Sequence, residues 1–158
     1  MKRNKWVIPA SIISALILQI MPMPVIADLY RPDWVLLILC YWCMALPNRV
    51  GIGVACLCGF TLDVLYGTAL GVHSFALIIP IFVVIANYQR FRNYSVFQQL
   101  LLILMLGSLY HIIIYWLLYW ITGVDFRADF LWPVITSAVL WPWLFWLLRR
   151  LRQSLRVS

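Results

Sequence analysis

The chain has 158 residues, of which 65% are hydrophobic and only 11% charged, with a net charge of +7 and a mean hydropathy of +0.95. A soluble domain carries about 25% charged residues, so these values exclude a water-soluble globule and indicate one integral membrane domain over residues 1–158. The positive charge does not indicate a nucleic-acid partner, because the basic residues lie at the chain ends and in short loops between apolar runs, as expected of segments retained in the cytoplasm against anionic lipid headgroups.

Lys2, Arg3 and Lys5 precede an apolar run from Trp6 to Met21, after which Pro22 and Pro24 interrupt the pattern. Val25-Ile26-Ala27 could end a cleaved leader, but the apolar run is long for the core of one, and an uncleaved first span over residues 6–26 is expected. Ser11, Ser14 and Gln19 are its polar positions, facing other helices or bonded back to their own. Arg31-Pro32-Asp33 opens a second helix, since proline suits the first helical position and an acid there complements the macrodipole. This helix, residues 32–46, is short for a hydrocarbon core of about 30 Å and is expected to lie partly within the bundle.

The third helix, residues 50–66, carries Gly51, Ala55, Gly59 and Asp63 at intervals of four. That spacing puts them on one ridge. The three small residues allow another helix to approach closely, and the carboxylate must be paired or wetted to lie in a bilayer. A tight return over Gly67-Thr68-Ala69-Leu70-Gly71 leads to a fourth helix over residues 71–88, with His73 near its start and Pro80 expected to bend it.

The fifth helix, residues 96–121, begins with Gln98 and Gln99 in the interfacial region and brings Ser108, His111 and Tyr115 onto one face, a candidate contact for a partner. His111 is expected to bond to another helix rather than to carry protons. The sixth helix, residues 130–148, contains Trp141-Pro142-Trp143, and four arginines follow it. Trp132 at one end and Trp141, Trp143 and Trp146 at the other read as interfacial anchors. Alternatively, Trp141, Pro142 and Trp143 form a bulge for a partner.

Six spans place ten of the twelve basic residues on the side of both termini, leaving Arg31 and Arg127 on the opposite side with Asp28, Asp33, Asp125 and Asp129. That bias predicts an all-α, compact bundle of six transmembrane helices with both termini cytoplasmic. Arg31, Asp33, Asp63 and His73 then share the outer level. They can form a structural ion pair between Arg31 and Asp63, or an outward-facing polar pocket. The chain has no glutamate and no nucleophile with a recognisable base, so no enzyme is expected. Cys40, Cys43, Cys56 and Cys58 all lie in apolar runs, with no ligand set for zinc, and neither a metal nor a cofactor is expected.

The segments YRPDWVLLILCYW (residues 30–42), ALPNRVGIGVACLCGFTLDVLYGTALGVHSFAL (residues 45–77), YQRFRN (residues 88–93) and VLWPW (residues 139–143) closely resemble the MreD family of rod-shape-determining membrane proteins. The resemblance extends over nearly the whole chain, in the form found in Gram-negative rods. It implies a non-enzymatic inner-membrane subunit of the cell-elongation machinery that works with the bitopic MreC and, more distantly, with MreB, RodA and a penicillin-binding transpeptidase in peptidoglycan synthesis. The family is also similar in architecture to substrate-binding subunits of energy-coupling-factor vitamin transporters. This leaves a small-molecule or lipid-binding subunit as the alternative.

Overall fold

A computed structural model describes residues 6–123, 125, 129 and 131–154. The described residues form α1 (Val7–Ile20), α2 (Val25–Asp28), α3 (Trp34–Ala45), α4 (Ile52–Tyr66), α5 (Val72–Ala86), α6 (Tyr88–Arg92), α7 (Val96–Thr122) and α8 (Leu131–Ser154). Helices α7 and α8 are long and apolar enough to cross a membrane, whereas α1, α3, α4 and α5 are shorter apolar helices.

Several boundaries differ from those expected. The first helix stops at Ile20 rather than near residue 26, because Pro22 and Pro24 offer no N–H to continue the ladder. Val25–Asp28 forms a separate turn whose Val25 and Ile26 are 90% and 81% exposed. The fourth expected helix ends at Ala86, and α6 follows as its own short segment. The last helix continues past residue 148 to Ser154.

Helix α3 is the centre of the bundle. Its sequence, WVLLILCYWCMA, is apolar on every side, and every residue from Val35 to Met44 is buried. A helix apolar all round belongs in a core or a membrane. Here it is surrounded by protein, packing against α1, α5, α6 and α8. Some of the polar groups at this core are satisfied locally: the Trp42 indole donates to Ser11 Oγ at 2.8 Å, and Ser11 donates to Ile8 O of its own helix at 2.7 Å. Ser14 bonds back to the Ser11 carbonyl. Outward positions of the surrounding helices are apolar as well, among them Leu57, Val64, Met105 and Val139, each more than two-thirds exposed. An apolar outer surface of this extent suits lipid rather than water.

The ridge on α4 forms one wall of the most extensive helix–helix contact among the described residues, against α5. Residues Ala55, Cys58, Gly59, Leu62 and Asp63 make the buried stripe of α4, at intervals of three and four. A Cβ on Gly59 would lie 2.2 Å from Ser74 Cα and 2.5 Å from Ser74 N. The two backbones touch there. Gly51 does not share this role. It is the extended N-cap of α4, and a Cβ added to it would meet nothing within 4 Å. The packing ridge therefore begins at Ala55, because a helix ridge requires helical backbone and that backbone starts at Ile52.

Candidate functional site

The return between α4 and α5 carries the most concentrated polar chemistry in the fold. Helix α4 ends at Gly67 in the left-handed region (φ 65°), and Gly71 precedes α5 with φ 104°. Glycine occupies this region without the Cβ penalty. The resulting tight return brings the start of α5 back onto Asp63, which has no solvent exposure. Asp63 Oδ2 accepts the Gly71 N–H at 2.7 Å, and Oδ1 accepts the His73 N–H at 3.0 Å. The Thr68 hydroxyl donates to Oδ1 at 3.0 Å. His73 Nδ1 lies 2.8 Å from the same oxygen, placing the ring proton on Nδ1 when it donates. Asp63 thus caps the N-terminus of α5 from the preceding helix, where orphan N–H groups and the positive end of the helix dipole favour an anion.

A second acid–histidine pair lies nearby. Asp33 is the N-cap residue of α3 and is itself buried. Its Oδ2 is 2.8 Å from His111 Nε2, near the middle of α7. Its backbone N–H donates to Ser137 Oγ, early in α8, at 2.9 Å. One residue therefore ties α3 to both long helices, and its burial follows from α3 starting well inside the bundle. Aromatic rings connect the two pairs. Tyr66 and His73 have centroids 5.4 Å apart, His73 and Tyr110 6.5 Å, and Tyr110 and His111 5.2 Å. The Tyr66 hydroxyl donates to the Gln19 carbonyl at 3.0 Å and so attaches α1 to the same cluster.

Of the four residues expected to cluster, Asp63 and His73 meet directly, and Asp33 binds His111. Arg31 departs from the expectation. It pairs with Asp28 at 3.2 Å and donates to the Met21 carbonyl, not to Asp63. Those acceptors come from the linker that Arg31 itself terminates, and a local partner needs no helix to be displaced. With its carboxylate fully buried and occupied by four donors, Asp63 does not open onto an outward-facing pocket.

The residues expected to contact a partner divide in the same way. Trp143 is 55% exposed, and Pro142 inside α8 is half-buried. Trp141 is fully buried, so it is a core residue and not an interfacial anchor. Its indole donates to Gln99 Oε1 at 3.1 Å, while the Gln99 amide donates to the Tyr94 carbonyl at 3.2 Å. Gln99 is thus buried, whereas Gln98 forms a capping box with Ser95 at the start of α7. Trp132 and Trp146 are about half exposed, at 45% and 51%. Ser108 lines a shallow apolar groove with Val83, Met105 and Ile112, Tyr115 is half-buried, and His111 turns inward to Asp33.

Thr68, Tyr66, Tyr110 and Ser137 were not singled out by sequence. Thr68 alone carried a local signal, as a hydroxyl within the glycine-bounded return after Asp63.

This fold and site define a helical membrane protein whose buried acids join its helices. Residues 1–151 match the family described as rod shape-determining protein MreD. The chain is 32% identical over 143 residues to the rod shape-determining protein MreD of Haemophilus influenzae, covering 90% of this chain and 88% of that relative. The chain belongs to the MreD family. No solved structure matches it.

Proposed function

We propose that this chain is a non-enzymatic, multi-pass subunit of the cell-elongation machinery in the bacterial inner membrane, with six spans and both termini in the cytoplasm. It binds an MreC-like bitopic protein and, through the assembly, acts with MreB, RodA and a penicillin-binding transpeptidase to support peptidoglycan synthesis and rod shape. The basic loops lie against anionic lipid headgroups. Family membership over residues 1–151 carries this reading. Its non-enzymatic part is supported by the engagement of Asp33 and Asp63 in interhelical bonds. Restoring rod shape to cells lacking their own homologue, with co-purification of the MreC-like protein, is the expected result. Failure of both would overturn the proposal, and a small molecule retained in place of that protein would favour the transporter-like alternative.

The topology is tested separately. Fusion reporters at Ser158 and in the segment spanning Asp125 and Asp129 should report opposite sides of the membrane, with Ser158 cytoplasmic. A periplasmic Ser158 would overturn the six-span arrangement. The four shorter helices each have 12–15 residues, or about 18–22 Å of helix. In this topology, apolar linker residues such as Val25 and Ile26 complete the crossing.

A further inference from the structure

A pocket of about 200 Å³ lies where the ends of α3, α6 and α8 meet. Three arginines line it: Arg92 from the last turn of α6, and Arg149 and Arg152 from the end of α8. Tyr41, Phe145 and Gln153 complete the part that matters here, and among the described residues no carboxylate lines it. Like charges converging without a counter-charge repel one another. Arg152, in the last turn of α8, does complement its C-terminal dipole, but that role requires neither convergence with Arg92 nor a tyrosine.

The tyrosine is the second observation. Tyr41 is 3% exposed, and its buried hydroxyl has no hydrogen-bond partner. A buried hydroxyl without a partner carries its desolvation penalty in full, and such groups are uncommon. Its ring is held edge-on between Trp42, with centroids 5.3 Å apart, and Phe145, at 5.5 Å. The ring is thereby fixed as a wall of the pocket, with the hydroxyl closed off behind the surrounding side chains. Three guanidinium forks match the several acceptor oxygens of a phosphate, which arginine can bind in bidentate fashion, and an anion that draws these side chains aside would give the hydroxyl its missing acceptor. The volume is several times the roughly 30 Å³ share of one water, and the Phe145 ring gives the pocket an apolar side suited to a glycerol backbone.

We infer that this pocket is a binding site for a phosphate-bearing anion, presented by a phospholipid headgroup or by a soluble phosphate compound. The inference rests on the proposed contact between the basic loops and anionic phosphates, but it assigns that contact to one built site.

The test is native mass spectrometry of the full chain in detergent, titrated with phosphatidylglycerol, with phosphatidylcholine and with glycerol 3-phosphate. Phosphatidylglycerol should bind more tightly than phosphatidylcholine. Arg92→Gln and Arg152→Gln should each weaken it roughly tenfold, and Tyr41→Phe roughly fivefold. Arg150 packs over the Trp146 ring at 4.4 Å and does not line the pocket, so Arg150→Gln should change binding by about twofold at most. Tyr41→Phe should not lower the thermal stability of the lipid-free protein, which separates ligand binding from a structural role. Glycerol 3-phosphate binding with the same dependence on these variants would identify a soluble phosphate as the ligand, and binding of the lipid alone would identify the headgroup. If Arg150→Gln matches Arg152→Gln, contact with anionic lipid is diffuse and the pocket assignment fails while the general lipid contact stands. No preference for phosphatidylglycerol and no binding of glycerol 3-phosphate would overturn both.

Discussion

Replacing Gly59 with alanine should be among the most damaging single-methyl changes this chain can undergo. The new Cβ would stand 2.2 Å from Ser74 Cα, 2.5 Å from Ser74 N and 2.8 Å from His73 C. All three are backbone atoms, so no side-chain rotation relieves the clash. Helices α4 and α5 must separate. Overpacking a core costs about 1–3 kcal/mol and occasionally more; this site belongs at or above the upper end. The separation would also draw Asp63, one turn along α4, away from the N–H groups of Gly71 and His73 that it now accepts at 2.7 and 3.0 Å. Gly53 lies on the same helix, where an added Cβ meets nothing within 4 Å, so Gly53→Ala should be neutral or stabilise by up to about 1 kcal/mol. Thermal unfolding in detergent, with membrane accumulation measured beside it, checks the contrast. A Gly59→Ala protein as stable as wild type would mean that the helices do not meet at Ser74.

The reach of sequence reasoning is visible in the same elements. Residues Ala55, Gly59 and Asp63 were legible because a four-residue interval on a helix fixes their common face whatever packs against it. Gly51 obeys the interval but not the backbone, since the helix begins after it. The apolar sequence of α3 announced a core position, and its short length a place within the bundle. Pairing was harder to read. Asp33 meets His111 across 78 residues of sequence, a contact set by the depth at which α3 starts relative to α7, and no interval encodes that depth. Arg31 was matched to Asp63 by shared level, but Asp28, three residues away, and the Met21 carbonyl are nearer acceptors. Trp141 lies close to the end of an apolar segment, where tryptophans commonly anchor at the interface. It is instead a core residue because Gln99 of a neighbouring helix accepts its indole N–H, and a polar partner inside the bundle cannot be seen from one helix alone.

Removing the Asp63 carboxylate should have an effect as large as that of Gly59→Ala, with a distinctive pattern in double variants. Asp63→Leu would orphan four donors at once: the N–H groups of Gly71 and His73, the Thr68 hydroxyl and His73 Nδ1. Each buried donor left without a partner costs about 1–3 kcal/mol before relaxation. Because the return can relax, a net loss of about 3–5 kcal/mol is expected, comparable to breaking a buried ion pair. Asp63→Asn retains one acceptor oxygen but turns an amide toward a backbone donor, so its loss should be intermediate. Adding Arg31→Leu to Asp63→Leu should recover nothing, because Arg31 is engaged by Asp28 and the Met21 carbonyl. Adding His73→Leu should recover only a minor part, since it removes one side-chain donor and leaves both backbone N–H groups of α5 uncapped. These comparisons require only melting temperatures of the four variants in one detergent. Substantial recovery with Arg31→Leu would restore the Arg31–Asp63 pair expected from sequence. Full recovery with His73→Leu would mean that the acid serves the imidazole alone and that capping of α5 contributes little. With neither recovery, the carboxylate acts chiefly on the α5 backbone, keeping α5 against α4 at the point where Gly59 lets the two helices touch.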